Sequence, residues 1–397
     1  MNRIHSYLLG AVSLAVLGAC STEPAKQAAP VQAAAATPAP PAFSSSNPFA
    51  EVSDLPLHAP PFDRIKDSDY QPALEEGMRQ QIAEMDTIAN NPEAPSFENT
   101  IVAMEKSGRL LDRATSAFFG VVQANTNDTL DKVQVDEAPK LAAHNDAIFL
   151  NDKLFARVKA VYDQRDSLKL DPESVRLLNV YYLQFVHAGA NLSDADKVKL
   201  REINKQDATL ETDFQQKLVA ASKAAAFVTD NKADLAGLSD EEIAAAAKGG
   251  EDRKMSGKFV IPQQNTTQQP VLATLTDRSV REKIFNNSWT RAEKGDANDT
   301  RDIIAQLAVL RAQKAQLLGY PNYAAYVLYD QMAKTPDAVE KFIGALVPPT
   351  AAKAADEAKQ IQAMIDKSGS HFDLKPWDWE MYSEKVRKAK YDLDQNE

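Results

Sequence analysis

The sequence is short of the residues from which active sites are usually assembled. It holds one cysteine, Cys20, in 397 residues, so no internal disulfide can form and no cysteine cluster can bind a metal. Its five histidines are His5, His58, His144, His187 and His371. No two of them stand about three to five residues apart, the spacing by which one helix offers two ligands to zinc. His-Glu-x-x-His, Gly-x-Ser-x-Gly, the phosphate-binding loop and Gly-x-Gly-x-x-Gly are all missing. The net charge is −11 and no basic patch with interleaved aromatics occurs, which excludes a nucleic-acid partner. Glycine is scarce, at 14 residues, while alanine, leucine, lysine, glutamate and glutamine are plentiful. That balance favours helix over sheet, and a hydrophobic fraction of 44% is ample for a core.

The position of Cys20 matters more than its solitude. Arg3 gives a positive start, and residues from about Tyr7 to Leu17 form an apolar run too short for a permanent membrane span. "LGAC", Leu17 to Cys20, follows and resembles the lipobox of bacterial lipoprotein signal peptides. The resemblance implies cleavage before Cys20 and acylation of its thiol and new amino terminus, giving stable anchoring through several acyl chains. Ser21 follows, not aspartate, so the rule for inner-membrane retention does not apply and the outer membrane is favoured. A lipid-bearing Cys20 is not a nucleophile.

Four regions are expected. Residues 1–19 form the signal peptide, and 20–46, rich in alanine, proline and serine, form a disordered tether. Residues 47–250 form an N-terminal helical region, and 251–397 begin a further domain. The fold class is all-α, with at most a short β-hairpin near 256–276, where "GKFVIPQQNTTQQPVLATL" is β-branched and marked by proline: a strand at Lys258–Ile261, and a second strand or a short helix after Pro270.

The helices carry recognisable signals. Leu74, Met78, Ile82, Met85 and Ile88 lie on one helical stripe. "SFENTIVAMEKSGRLLDRATSAFFGVV" predicts a helix restarting after the Asn90–Asn91–Pro92 stop. Asp171 is an N-cap with Pro172 in the first turn and Gly189 as terminator. Leu200, Ile203, Leu210, Phe214 and Leu218 form the buried side of a long charged helix, and Ser239 with Glu242 makes a capping box. Thr335 caps a helix that ends near Pro348, and another runs from about Thr350 to Ile365. No internal repeat of fixed period is present, which argues against a solenoid.

No residue of this chain earns a catalytic or metal-binding assignment. The abundant carboxylates sit on charged helix faces and none pairs as an acid–base dyad. His187, in "YYLQFVHAGA", reads as a packed histidine near a helix C-terminus. His371, in "SGSHFDLKPWDW", reads as a loop histidine. Trp377 and Trp379 point in different directions at helical spacing, so at least one is a core anchor.

Several separated blocks, in order, carry a resemblance. "NPFAEVSDLPLHAPPFDRIKDSDYQPALEEGM", "PSFENTIVAME", "AGANLSDADKVKLREINKQ", "LLGYPNYAAYVLYDQMAKTP" and "PWDWEMYSEKVRKAKYDLDQNE" resemble the thimet oligopeptidase-like family of zinc metallopeptidases, from about Asn47 to Glu397. The blocks look most like the bacterial peptidyl-dipeptidase branch. The resemblance implies a helical body of two lobes flanking a channel, of which this chain supplies one lobe and part of the second. It also implies one zinc ion held by a His-Glu-x-x-His helix and a later glutamate, with oligopeptides as substrates and dipeptides released from their C-termini. Every residue of that mechanism belongs to a region beyond the block matching "YDLDQNE". The expectation is therefore an N-terminal portion of such an enzyme, inactive alone, lipid-anchored on the periplasmic side and monomeric when complete. The alternative is an inert helical lipoprotein that binds or scaffolds peptides.

Overall fold

The computed structural model describes residues 43–264 and 266–393. Cys20, the signal peptide and the tether up to residue 42 lie outside the described residues. The body is all-α apart from one two-stranded sheet.

Helix α1 (Asp67–Ala89) carries the expected stripe: Leu74, Met78, Met85 and Ile88 are buried and Ile82 is partly so. The next helix is more broken than its sequence suggests. A π-helical turn (Phe97–Val102) runs into α2 (Ala103–Glu105), and Gly108, at φ +71°, stops the chain before α3 (Arg109–Asn125) starts. That left-handed φ is what glycine tolerates best. Helices α1 and α3 run antiparallel and touch so closely that a Cβ on Gly77 would sit 2.7 Å from Leu111 Cα.

Helix α4 (Asp128–Phe149) lies parallel to α1, joined by Gln71 to Glu137, Lys140 to Glu75, and His144 to Gln81. Helix α5 (Asp152–Asp163) and α6 (Pro172–Ala188) close a second core around Leu154, Val158, Leu178 and Phe185. Asp171 caps α6 through the Glu173 and Ser174 amides, and Gly189 ends it at φ +102°. Helix α7 (Asp194–Ala224) packs antiparallel on α4, as the pairs Gln216–Asp131, Gln215–Gln134 and Asn204–Asp146 require. On its expected apolar side only Leu200 is fully buried; Ile203, Leu210, Phe214 and Leu218 remain partly open.

The strands correct the hairpin expected near 256–276. Strand β2 (Phe259–Ile261) pairs antiparallel with β1 (Phe227–Thr229), in the register Phe227–Ile261, Val228–Val260 and Thr229–Phe259. Between them lies α8 (Asp240–Asp252), capped by the Ser239–Glu242 box. The segment after Pro270 forms a 3-10 turn (Pro270–Ala273), not a strand. Phe227, Leu235, Ala246, Ile261, Leu275 and Ile284 share one core cluster, so packing is continuous across residue 250.

Then follow α9 (Arg278–Trp289), α10 (Arg301–Leu317), antiparallel to α7, and the short α11 (Tyr323–Val327). Helix α12 (Pro336–Lys367) departs from expectation: it runs unbroken through Pro348 and Pro349. The prolines withdraw two amide donors and crowd the carbonyls four residues earlier. Those positions are Gly344 and Ala345, and Gly344 has open space around it. Helix α13 (Trp379–Tyr391) packs Met381 and Tyr382 against Ile361 and Ile365 of α12. No helix among the described residues is long and apolar enough to cross a membrane.

Candidate functional site

A trough of mixed character, with amide and apolar side chains in its wall, runs along α7. At one end α3, α4 and α7 enclose a cavity of ≈ 470 Å³ whose wall includes Gln123, Gln134, Gln215 and Gln216. Gln134 Nε2 donates to Gln215 Oε1 at 3.2 Å, and Gln216 Nε2 to the Asp131 carbonyl at 2.9 Å. At the other end a second cavity of ≈ 310 Å³ opens between α4, α7, α10 and α11. The two share Ala208 and Glu211, so the trough follows α7 from Asn204 to Val219. At about 1.5 Å per residue that is roughly 22 Å, matching six or seven residues of extended peptide at about 3.3 Å each. Primary amides suit such a guest, since each offers a donor and an acceptor to a peptide backbone.

The second cavity is charged. Asp146 is 8% exposed, and Asn204 Nδ2 donates to its Oδ1 at 2.7 Å. Burial pushes the Asp146 carboxyl above the usual carboxylate range, partly countered by Asn204, Lys314 and Arg201. Burial likewise lowers the Lys314 ammonium, against the pull of Asp207, Asp146 and Glu211. Lys314 Nζ stands 5.7 Å from the Tyr326 ring centroid. Arg311 bridges Asp207, at 3.0 Å, and Glu211, tying α10 to α7.

His187 closes this end. Its imidazole is stacked between Tyr326 and Tyr329, with centroids 4.0 and 3.7 Å away, and Nδ1 lies 3.1 Å from the Tyr320 hydroxyl. Helix-end placement alone would favour the imidazolium. Burial dominates instead and lowers the pKa to about 4, leaving a neutral ring at pH 7. Among the described residues no serine, threonine or cysteine pairs with it, so the ring is a wall of the site rather than a base for a nucleophile.

The remaining histidines do not converge. His144 is buried and its Nε2 lies 2.7 Å from Gln81 Oε1; His58 contacts the Ser53 carbonyl; His371 is exposed in its loop. Among the described residues no group of three or more His, Cys, Asp or Glu side chains is placed to hold a metal ion. The residues here therefore do not fit a zinc site. Of the tryptophans, Trp379 packs on the α12–α13 cluster and Trp377 lies half-buried beside Phe285. Asp378 between them is fully buried and held by Arg278 and Arg281. Sequence reading missed both the trough and this ion cluster, because their members lie about a hundred to two hundred residues apart.

Residues 271–397 match the Peptidase family M3 model. The chain is 50% identical over 353 residues to dipeptidyl carboxypeptidase of Escherichia coli, a match covering 89% of this chain and 52% of that protein. It is 49% identical over 351 residues to the Salmonella typhimurium dipeptidyl carboxypeptidase, covering 88% and 52%. A more distant relative is oligopeptidase A of Haemophilus influenzae, 23% identical over 360 residues, covering 89% and 52%. The chain spans about half the length of the curated relatives it matches. The likeness to the dipeptidyl carboxypeptidases thus runs over nearly nine tenths of this chain, and the likeness to Peptidase family M3 over residues 271–397.

Proposed function

We propose that this chain is one portion of a zinc peptidyl-dipeptidase that removes dipeptides from the C-termini of oligopeptides. The observation that carries the reading is the 50% identity, sustained over 353 residues, to a protein named dipeptidyl carboxypeptidase. Its substrates would be oligopeptides, and the amide-lined trough along α7 is a surface of suitable length and chemistry for them. Zinc would polarise the scissile carbonyl and activate water. Its ligands would lie in the rest of the enzyme.

The cellular place follows from "LGAC" alone: acylation of Cys20 would hold the body on the periplasmic face of the envelope. Mass spectrometry of the N-terminal peptide tests it. An unmodified N-terminus away from Cys20, or release unaffected by Cys20→Ser, rejects the anchor.

The activity is tested by comparing this chain with a polypeptide extended to the length of those relatives. The extended form should bind one zinc and release dipeptides from a peptide with a blocked N-terminus; the 397-residue chain should do neither. Release of single residues, or internal cuts, by the extended form would defeat the peptidyl-dipeptidase reading. Chelator-sensitive turnover by the short chain would defeat the placement of the metal.

A further inference from the structure

We propose that the cavity bounded by Asp146, Asn204, Lys314 and Tyr326 is a binding site for a small zwitterion, a free dipeptide being the best-fitting class. This goes beyond the peptidase reading and does not depend on it. Asp146 and Lys314 project into one cavity from α4 and α10, and neither forms an ion pair within 4.0 Å among the described residues. Asp207 and Glu211, the other acids of the wall, are already held by Arg311. The cavity thus keeps one under-paired acid and one under-paired base, both removed from bulk water.

A third group lacks a partner. Asn204 spends its amide nitrogen on Asp146, while its Oδ1 is buried and accepts nothing. That atom is closed off from the cavity, so the polar groups left to a ligand are the Asp146 carboxylate and the Lys314 ammonium. A ligand's ammonium answers the Asp146 carboxylate through a charge-assisted hydrogen bond. Lys314 then takes a carboxylate. A plain anion would leave Asp146 unanswered, and a plain cation would leave Lys314 so. Phe149 and Tyr326 supply apolar wall for a side chain. The volume of this end of the trough, ≈ 310 Å³, lies at the small end of ligand cavities, which fits an amino acid or dipeptide.

The experiment is calorimetric titration of the 397-residue chain with Ala-Ala, N-acetyl-Ala-Ala, Ala-Ala amide and free alanine. Ala-Ala should saturate with Kd about 1 mM or tighter, and each blocked form should bind at least about tenfold more weakly. Alanine binding as well as Ala-Ala keeps the zwitterion chemistry and names the amino acid as its source. Lys314→Met should weaken Ala-Ala about tenfold while leaving the amide's affinity unchanged; Asp146→Asn should do the mirror image with the N-acetyl form. Absence of saturation by either zwitterion, or equal affinity for free and blocked forms, overturns the proposal without recourse to any variant.

Discussion

The imidazole of His187 lies face to face with the Tyr329 ring, centroids 3.7 Å apart and planes 21° from parallel, with Tyr326 on its other face. Protonating it would place a cation in this stack with Lys314 nearby, and its folded pKa falls to about 4 from 6.5. The unfolded chain therefore binds more protons between those values, so the His187 contribution is complete above pH 6.5 and is lost as pH falls towards 4. His144, lowered by burial, acts in the same sense; Asp146 and Glu137, raised by burial, act in the opposite one.

His187→Phe isolates the effect, since it preserves the stacking and removes the proton. Urea unfolding at stepped pH should show the wild type losing stability relative to this variant between about pH 6.5 and 4, with a constant offset above. Parallel curves throughout that window would mean His187 titrates normally.

Asp378 anchors the segment before α13. It is fully buried, accepts from Arg278 Nη2 at 2.9 Å and from Arg281 Nη2 at 3.0 Å, and caps its own turn at the Lys375 amide. Arg281 is itself 1% exposed. Asp378→Ala strands a buried guanidinium and should cost about 3–5 kcal/mol. Limited proteolysis should then cut between residues 368 and 378 first. A loss under about 1 kcal/mol would show that water or a neighbour replaces the carboxylate.

Gly77 and Gly120 make a matched pair on facing helices. A methyl on Gly77 meets Leu111 Cα at 2.7 Å, whereas around Gly120 nothing lies within 4 Å. Gly77→Ala should destabilise by about 1–3 kcal/mol through forced separation of α1 and α3. Gly120→Ala should be neutral or stabilise by up to about 1 kcal/mol, through helix propensity alone. Chemical denaturation of both variants decides; similar shifts would remove the close-packing explanation.

What could be read from sequence was local. The α1 stripe, the Asp171–Pro172–Gly189 brackets of α6, the Ser239–Glu242 box and the Thr335 cap each depend on residues within a few positions. Strand β1 escaped notice because three residues after a long helix carry no alternation, and its pairing with β2 is set by the intervening α8. Pro348–Pro349 reads as a stop because proline inside a helix removes a donor and crowds a carbonyl, yet α12 runs through both. The trough was illegible for another reason. Asp146, Asp207, Glu211, Arg311 and Lys314 each look like solvated positions on charged helices, and only the α4–α7–α10 packing turns them inward together.

The body also exposes apolar surface. The aromatic segment before and into α13 is not that surface, since Met381 and Tyr382 are buried and Trp377 and Trp379 are half-covered. The first half of α12 is open instead: Phe342 is 68% exposed, Ile343 50%, Leu346 49% and Val347 56%. Their spacing of one, four and five residues makes a single stripe. Contiguous apolar surface of this kind drives association of chains in water. Size-exclusion chromatography over a concentration series should therefore show the 397-residue chain self-associating, and Phe342→Glu with Leu346→Lys should abolish this. The double variant should leave the urea midpoint within about 0.5 kcal/mol of the parent, as expected of open surface. Association that persists in the double variant would move the sticky face to another part of the body; a large loss of stability would mean the stripe is packed rather than open.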